Sequence, residues 1–245
     1  VTADSRDAPP LIGITSHRAR AQFGFWDRDF DLLATTFVDA VMEAGGQAVM
    51  LPARSRLNGS VLHRLDGLIL SGGPDIDAGL YGEERHERSE TPEPERDAAE
   101  LTALAAAQHF GLPVLAVCRG AQMLNVWRGG SLEQHLPDLG RHEDHGSGGE
   151  FASKAISVAA GSWLESIVGR STTGSCHHHQ AVKDVGDGLV PVAFSHDGVI
   201  EALELQGEIP VIGVQWHPEE IADDRVIPGF VEAVDRERRK RSYVG

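Results

Sequence analysis

The chain has 245 residues, 41% of them apolar, enough for one substantial core or two small ones. With 22 Lys and Arg against 37 Asp and Glu, its formal charge is −15, and no basic face is left to meet nucleic acid. Two distant cysteines suit a reducing compartment rather than a disulfide framework, and no apolar run nears the ~20 residues of a membrane helix. The polar N-terminus has no signal-peptide core. We read a cytoplasmic protein with a disordered tail over residues 1–10 and a single domain over 11–241.

In chain order, residues 11–15 read as a first strand and 16–31 as a loop. Residues 32–44 have helical spacing and end at Gly45-Gly46. A strand at 48–51 closed by Pro52, a weaker helix at 60–65 and a buried strand at 67–70 follow. This β-α-β-α-β order is the grammar of a parallel sheet with helices on both faces. The third strand runs into Ser71-Gly72-Gly73-Pro74-Asp75-Ile76, where two glycines let backbone N–H groups turn toward a ligand. Residues 77–94 form a long polar loop with a solvated acidic rim. The alanine-rich stretch 95–110 is a helix whose Asp97 and Glu100 suit the positive end of its dipole.

Leu112-Pro113-Val114-Leu115-Ala116-Val117 is a short apolar run after a Gly-Leu-Pro turn, a buried strand that stops at Cys118. Residues 119–128 read as a helix, so Cys118 sits on a strand-to-helix elbow at the sheet's carboxyl edge. Gly120 omits the side chain that would keep strand, turn and helix apart. A thiol there faces the positive end of the helix dipole, which favours the thiolate. Residues 135–150 are polar and irregular. Period-two patterns at 155–158, 181–185, 190–194 and 199–204 extend the sheet with antiparallel strands. Pro210 to Trp216 is another buried strand, delivering His217-Pro218-Glu219, and a helix over 227–241 ends in a solvated basic run.

In a doubly wound sheet, residues just past the carboxyl ends of the strands share one crevice. Ser71 to Pro74, Cys118, and His217 to Glu219 stand at three such ends. A thiol becomes a nucleophile when an imidazole takes its proton and a third group orients that imidazole. His217 and Glu219 are two apart, on one side of an extended chain with Pro218 stiffening the backbone between them.

Ala116-Val117-Cys118-Arg119-Gly120-Ala121-Gln122 and Gln215-Trp216-His217-Pro218-Glu219 resemble the class I glutamine amidotransferase fold, a flavodoxin-like α/β sheet. The likeness runs from Leu11 to about Val234. Leu70 to Ile76, Tyr81-Gly82-Glu83, Gly129-Gly130-Ser131-Leu132 and His178-His179-Gln180-Ala181-Val182 narrow it to the γ-glutamyl-γ-aminobutyrate hydrolase branch, free-standing enzymes that cut γ-glutamyl amides. The resemblance implies Cys118 as nucleophile, His217 as base and acid, and Glu219 as its orienter. It implies an oxyanion hole from the backbone N–H groups of Gly73 and Arg119, with Gln122, His179 and Gln180 at the glutamyl end of the substrate. It implies no metal or organic cofactor, a small γ-glutamyl compound from polyamine breakdown as substrate, and leaves a homodimer open. A glutaminase partner feeding ammonia to a synthase, and a silent binding module, are the rival readings.

The chain departs from relatives at Ser175-Cys176-His177, where an Asn-Ser pair is common, and at Lys154, where many carry histidine. His177-His178-His179 with His142 and His145 raises a metal site. Neighbours on a strand alternate faces, so at most two of the triplet share one ion, and no metal is assigned. Cys176 has no elbow and reads as a packed residue. Trp26, Trp127, Trp163 and Trp216 read as core or pocket wall.

Overall fold

The computed structural model describes residues 8–52, 54, 59–140, 145–146, 149–222 and 224–242. Residues 1–7 of the expected tail, and His142, lie outside the described residues. Pro10 is buried, and its carbonyl accepts a hydrogen bond from the Gln47 N–H.

Strands β1 (Leu11–Thr15), β4 (Gln47–Leu51), β5 (Gly67–Leu70), β6 (Val114–Val117) and β13 (Val211–Val214) form a parallel sheet in the order β4-β1-β5-β6-β13. Antiparallel strands β12 (Ile200–Leu205), β11 (Leu189–Ser195), β8 (Ala152–Val158) and β9 (Ser171–Cys176) continue it beyond β13. This is the expected mostly parallel α/β sheet with an antiparallel extension. The central strands are apolar throughout because both faces are covered. Alternate residues enter opposite cores. Ile69, Leu115 and Val117 pack with Phe230 of helix α6 (Val226–Ser242), while Leu68, Leu70, Val114 and Ala116 pack with Leu104 of α3 (Pro94–Phe110). Helix α1 (Thr35–Glu43) joins the first core, and the short α2 (Gly59–Leu62) brings Leu62 to the second. Among the described residues, no helix is long and apolar enough to cross a membrane.

Four expectations change. Residues 16–31 are not a loop but a hairpin, β2 (His17–Phe23) and β3 (Trp26–Leu32), paired in register with Gly24 at φ 60° in its two-residue turn. Its cross-strand ion pairs, Arg18–Asp31 and Arg20–Asp27, hide the usual apolar alternation. Its Trp26 is exposed, not core. Residues 181–185 do not join the main sheet; β10 (Ala181–Val182) pairs instead with β7 (Leu132–Glu133). Finally, α5 (Trp163–Val168) and β9 occupy a stretch assigned no element. Strand β9 is STTGSC, polar and without period, and is ordered by its pairing with β8.

Candidate active site

The carboxyl ends of β5, β6 and β13 converge, as their adjacency in the sheet requires. Cys118 follows β6 and precedes α4 (Arg119–Trp127), with φ 51° and ψ −107°; no other non-glycine among the described residues has positive φ. That conformation is sterically costly for a side chain, and it persists because the surroundings over-determine it. The Cys118 N–H donates to Val214 O, tying the elbow to β13. Behind it, a Cβ on Gly120 would lie 2.6 Å from Leu70 O, so only glycine lets the helix start so close to β5.

His217 follows β13, its N–H donating to Ser175 O, and its Nδ1 lies 2.7 Å from Glu219 Oε1. The imidazole neighbours the Cys118 side chain, both lying against Gly72. A Cβ on Gly72 would fall 2.8 Å from His217 Cε1 and 3.7 Å from Cys118 Cβ, so the β5 loop roofs the pair. Burial opposes charge on His217, but the Cys118 sulfur and the Glu219 carboxylate outweigh it and push the ring up to about 11. The imidazolium therefore persists through neutral pH. Phe151 meets the ring edge-on at 5.3 Å, and the Gln215 amide lies 3.7 Å from the sulfur.

The Peptidase C26 family model matches residues 10–219. The chain belongs to the Peptidase C26 family. Rv2859c of Mycobacterium tuberculosis, named as a candidate glutamine amidotransferase, is 42% identical over 229 residues, 91% of this chain and 74% of its own. Protein NtpR of Enterococcus hirae is 35% identical over 86% of this chain and 91% of its own. The γ-glutamyl-γ-aminobutyrate hydrolase PuuD of Escherichia coli is 31% identical over 91% and 93%. A crystal structure of a candidate GMP synthase component from Thermoplasma acidophilum shares the fold, with TM-score 0.62, 17% identity, and coverage of 96% of this chain and 98% of that one.

In this Peptidase C26 member a cavity of about 350 Å³ opens at Cys118. The structure brings Gly73, Gln122, His179 and Gln180, all singled out in the sequence, to its walls. The Gln122 amide donates to Gln180 O and Gln215 Oε1, and the Gln180 amide lies 2.9 Å from Asp75 Oδ2. His179 Nε2 lies 3.2 Å from Asp75 Oδ2, and that carboxylate raises the His179 pKa against the opposing effect of burial. The Arg119 side chain points away from the cavity into the protein, leaving its backbone N–H at the open N-terminus of α4.

Sequence reasoning missed Asp75, Arg88, Glu90 and His135, which also line this cavity. Arg88 and Glu90 sit in the long loop read as a rim. It missed the brace beneath the elbow as well. Arg96 and Arg119, each 1% exposed, interlock with Asp97 and Glu100, and Arg96 Nη2 donates to Ser71 O and Gly72 O at 3.0 and 2.8 Å. The two acids read as dipole partners are thus buried counter-ions. The sequence signal for this brace is an Arg-Asp-x-x-Glu run with a second arginine beside the cysteine.

The second thiol, Cys176, is fully buried beside His178, Glu201 and His145. Burial, then the Glu201 charge, drives its pKa far up, so it stays a thiol away from the cavity wall. Two Cys-His-Glu clusters thus exist in this family member, and only Cys118 of the two cysteines lines the cavity and sits on the strained elbow.

Proposed function

We propose that the protein hydrolyses the γ-glutamyl amide bond of a small γ-glutamyl amine, of the γ-glutamyl-γ-aminobutyrate kind, through a thioester on Cys118. The observation that carries this reading is a cysteine on a strained elbow, paired with a carboxylate-oriented histidine, at the mouth of a cavity holding charges of both signs. Arg88 and His179 suit an α-carboxylate, and Asp75 and Glu90 an α-ammonium, the two charges of a glutamyl end. The similarity to PuuD supports the same substrate class.

The Cys118 sulfur attacks the γ-carbonyl carbon, and the carbonyl oxygen gathers negative charge between the N–H groups of Gly73 and Arg119. Preorganised donors of this kind are each worth about 10²–10³ in kcat. The imidazolium of His217 gives its proton to the leaving nitrogen, the C–N bond breaks, and the free amine departs. The now neutral ring takes a proton from water, whose oxygen attacks the thioester. The C–S bond breaks, releasing glutamate and restoring the thiolate–imidazolium pair. Glu219 holds Nδ1 throughout, so Nε2 faces the chemistry.

The test is glutamate release from a panel of γ-glutamyl amides, glutamine included, by wild type and Cys118→Ala. Turnover of amine-substituted substrates well above glutamine, abolished in the variant, is the expected result. The name of Rv2859c, a candidate glutamine amidotransferase, favours a second reading, a glutaminase. Preference for glutamine would establish it, and no release from any substrate would leave a binding module.

A further inference from the structure

Beneath the cavity wall, four side chains from separate segments aim their ligating atoms at one buried point. They are His145, Cys176 at the end of β9, His178 just after it, and Glu201 on β12, and these atoms all lie within 4.8 Å of one another. All four residues are buried, Cys176 and Glu201 completely. The histidine triplet follows β9 instead of lying in it, so strand alternation does not govern it. It contributes His178 alone.

The outward partners set the protons. His178 Nδ1 lies 2.9 Å from Gln180 O, an acceptor, so Nδ1 carries the hydrogen and Nε2 faces inward bare. His145 Nε2 lies 3.0 Å from Asp197 Oδ2, so it too donates outward, and its Nδ1 faces inward toward the Glu201 carboxylate. The two inward nitrogens face each other at 3.2 Å. Glu201 Oε1 stands 3.3 Å from His145 Nδ1 and 4.0 Å from His178 Nε2, with no well-aligned hydrogen bond of its own. Cys176 Sγ lies 3.9 Å from Glu201 Oε2. These inward-facing groups in a dry site share a cation, either a proton on His145 Nδ1 or a metal ion set among all four. Ligand atoms at about 2.0–2.3 Å from a tetrahedral ion stand some 3–4 Å apart; His145 Nδ1 lies 3.2 and 3.3 Å from His178 Nε2 and Glu201 Oε1, and the four atoms together fall within 4.8 Å of one another. A histidine whose other nitrogen donates to a carboxylate or a backbone carbonyl is the usual outer arrangement of a metal ligand, and both histidines have it.

We propose that His145, Cys176, His178 and Glu201 form a structural site for a divalent transition metal, zinc by its mixed nitrogen, sulfur and oxygen donors. The ion displaces the Cys176 thiol proton to solvent; thiolate and carboxylate then neutralise its two positive charges. All four positions are filled by protein, so the ion binds no substrate. It pins the segment bearing His179 and Gln180, one wall of the Cys118 cavity, to the antiparallel extension.

The experiment equilibrates purified full-length protein with excess zinc or cobalt, removes free metal, and measures metal per chain, the cobalt absorption spectrum, and Tm with and without a chelator. One ion per chain, a thiolate-to-cobalt charge-transfer band, and a Tm lowered by the chelator and restored by zinc are expected. Cys176→Ser should lose that band, Asp197→Asn should weaken binding about 10–100-fold, and Cys118→Ala should keep both band and stoichiometry. Metal far below one per chain with no band in wild type overturns the proposal and leaves a proton as the shared cation. A band that survives Cys176→Ser and vanishes in Cys118→Ala places the metal elsewhere and overturns it too. The wild-type measurements decide even where a variant fails to fold.

Discussion

At the scale of single residues, the chemistry turns on which group holds the proton. Cys118 is kept in a conformation that side chains avoid, and the His217 ring beside it stays charged because sulfur and carboxylate flank it. The folded ring's pKa of about 11 lies above the ordinary 6.5, so the ring keeps its proton through neutral pH and loses it as pH rises through about 11. Glu219 is one of the groups that raise it. Glu219→Gln should therefore move the alkaline limb of the kcat–pH profile to lower pH and cut kcat by roughly 10³–10⁴-fold, as removing the orienting acid of a triad does. A pH profile of glutamate release for both proteins checks it; an unmoved alkaline limb would remove Glu219 from the role. The proposed triad was legible in the sequence because its members sit in two short motifs at strand ends. Gln215 was quoted in one of those motifs, but its approach to the sulfur is a side-chain orientation that spacing does not encode.

At the scale of elements, helix α3 braces the loop that follows β5. Arg96 grips the Ser71 and Gly72 carbonyls from below, and a Cβ on Gly73 would collide with its guanidinium, so the loop's peptide planes are set by a side chain two elements away. Ser71 adds a second anchor, exchanging hydrogen bonds with Thr15 at the end of β1. Arg96→Met should lower kcat by about 10²-fold with little change in KM, because the Gly73 N–H, the proposed oxyanion donor, loses its fixed direction. It should also cost about 3–5 kcal/mol of stability, since Glu100 loses one of its two cations in a dry site. Adding Glu100→Gln should restore much of the stability and none of the rate. Urea melts and steady-state kinetics on the three proteins separate the two effects. A double variant that recovers full activity would make the network purely structural. The sequence placed Asp97 in the first turn of α3, while Glu100 stands a turn further on; a helix presents every face to a linear reading, and only packing shows which face is dry.

At the scale of the whole molecule, one sheet divides two cores, and alternate residues of β5 and β6 feed both. The cores share strands, so they should melt as one cooperative unit. Phe230→Ala on one face and Leu104→Ala on the other should destabilise by about 3–5 and 2–5 kcal/mol, each shifting a single common transition. Tryptophan fluorescence and circular dichroism should give coincident urea curves for both variants. Separate transitions would divide residues 11–241 into independent units.

The parallel strands, the elbow cysteine and the His-Pro-Glu turn were determined by the sequence alone, because buried strands are continuous apolar runs and a strand-to-helix elbow demands small residues at set offsets. What only the tertiary structure decided depends on partners remote in the chain. The charged hairpin β2–β3 and the polar strand β9 have no apolar pattern of their own and are ordered by pairing. The Arg96–Glu100–Arg119 brace and the His145–Cys176–His178–Glu201 cluster each join distant segments. Apart from Cys176, which reads as packed, their members are polar or charged residues tolerated inside only once the fold has brought their counterparts together.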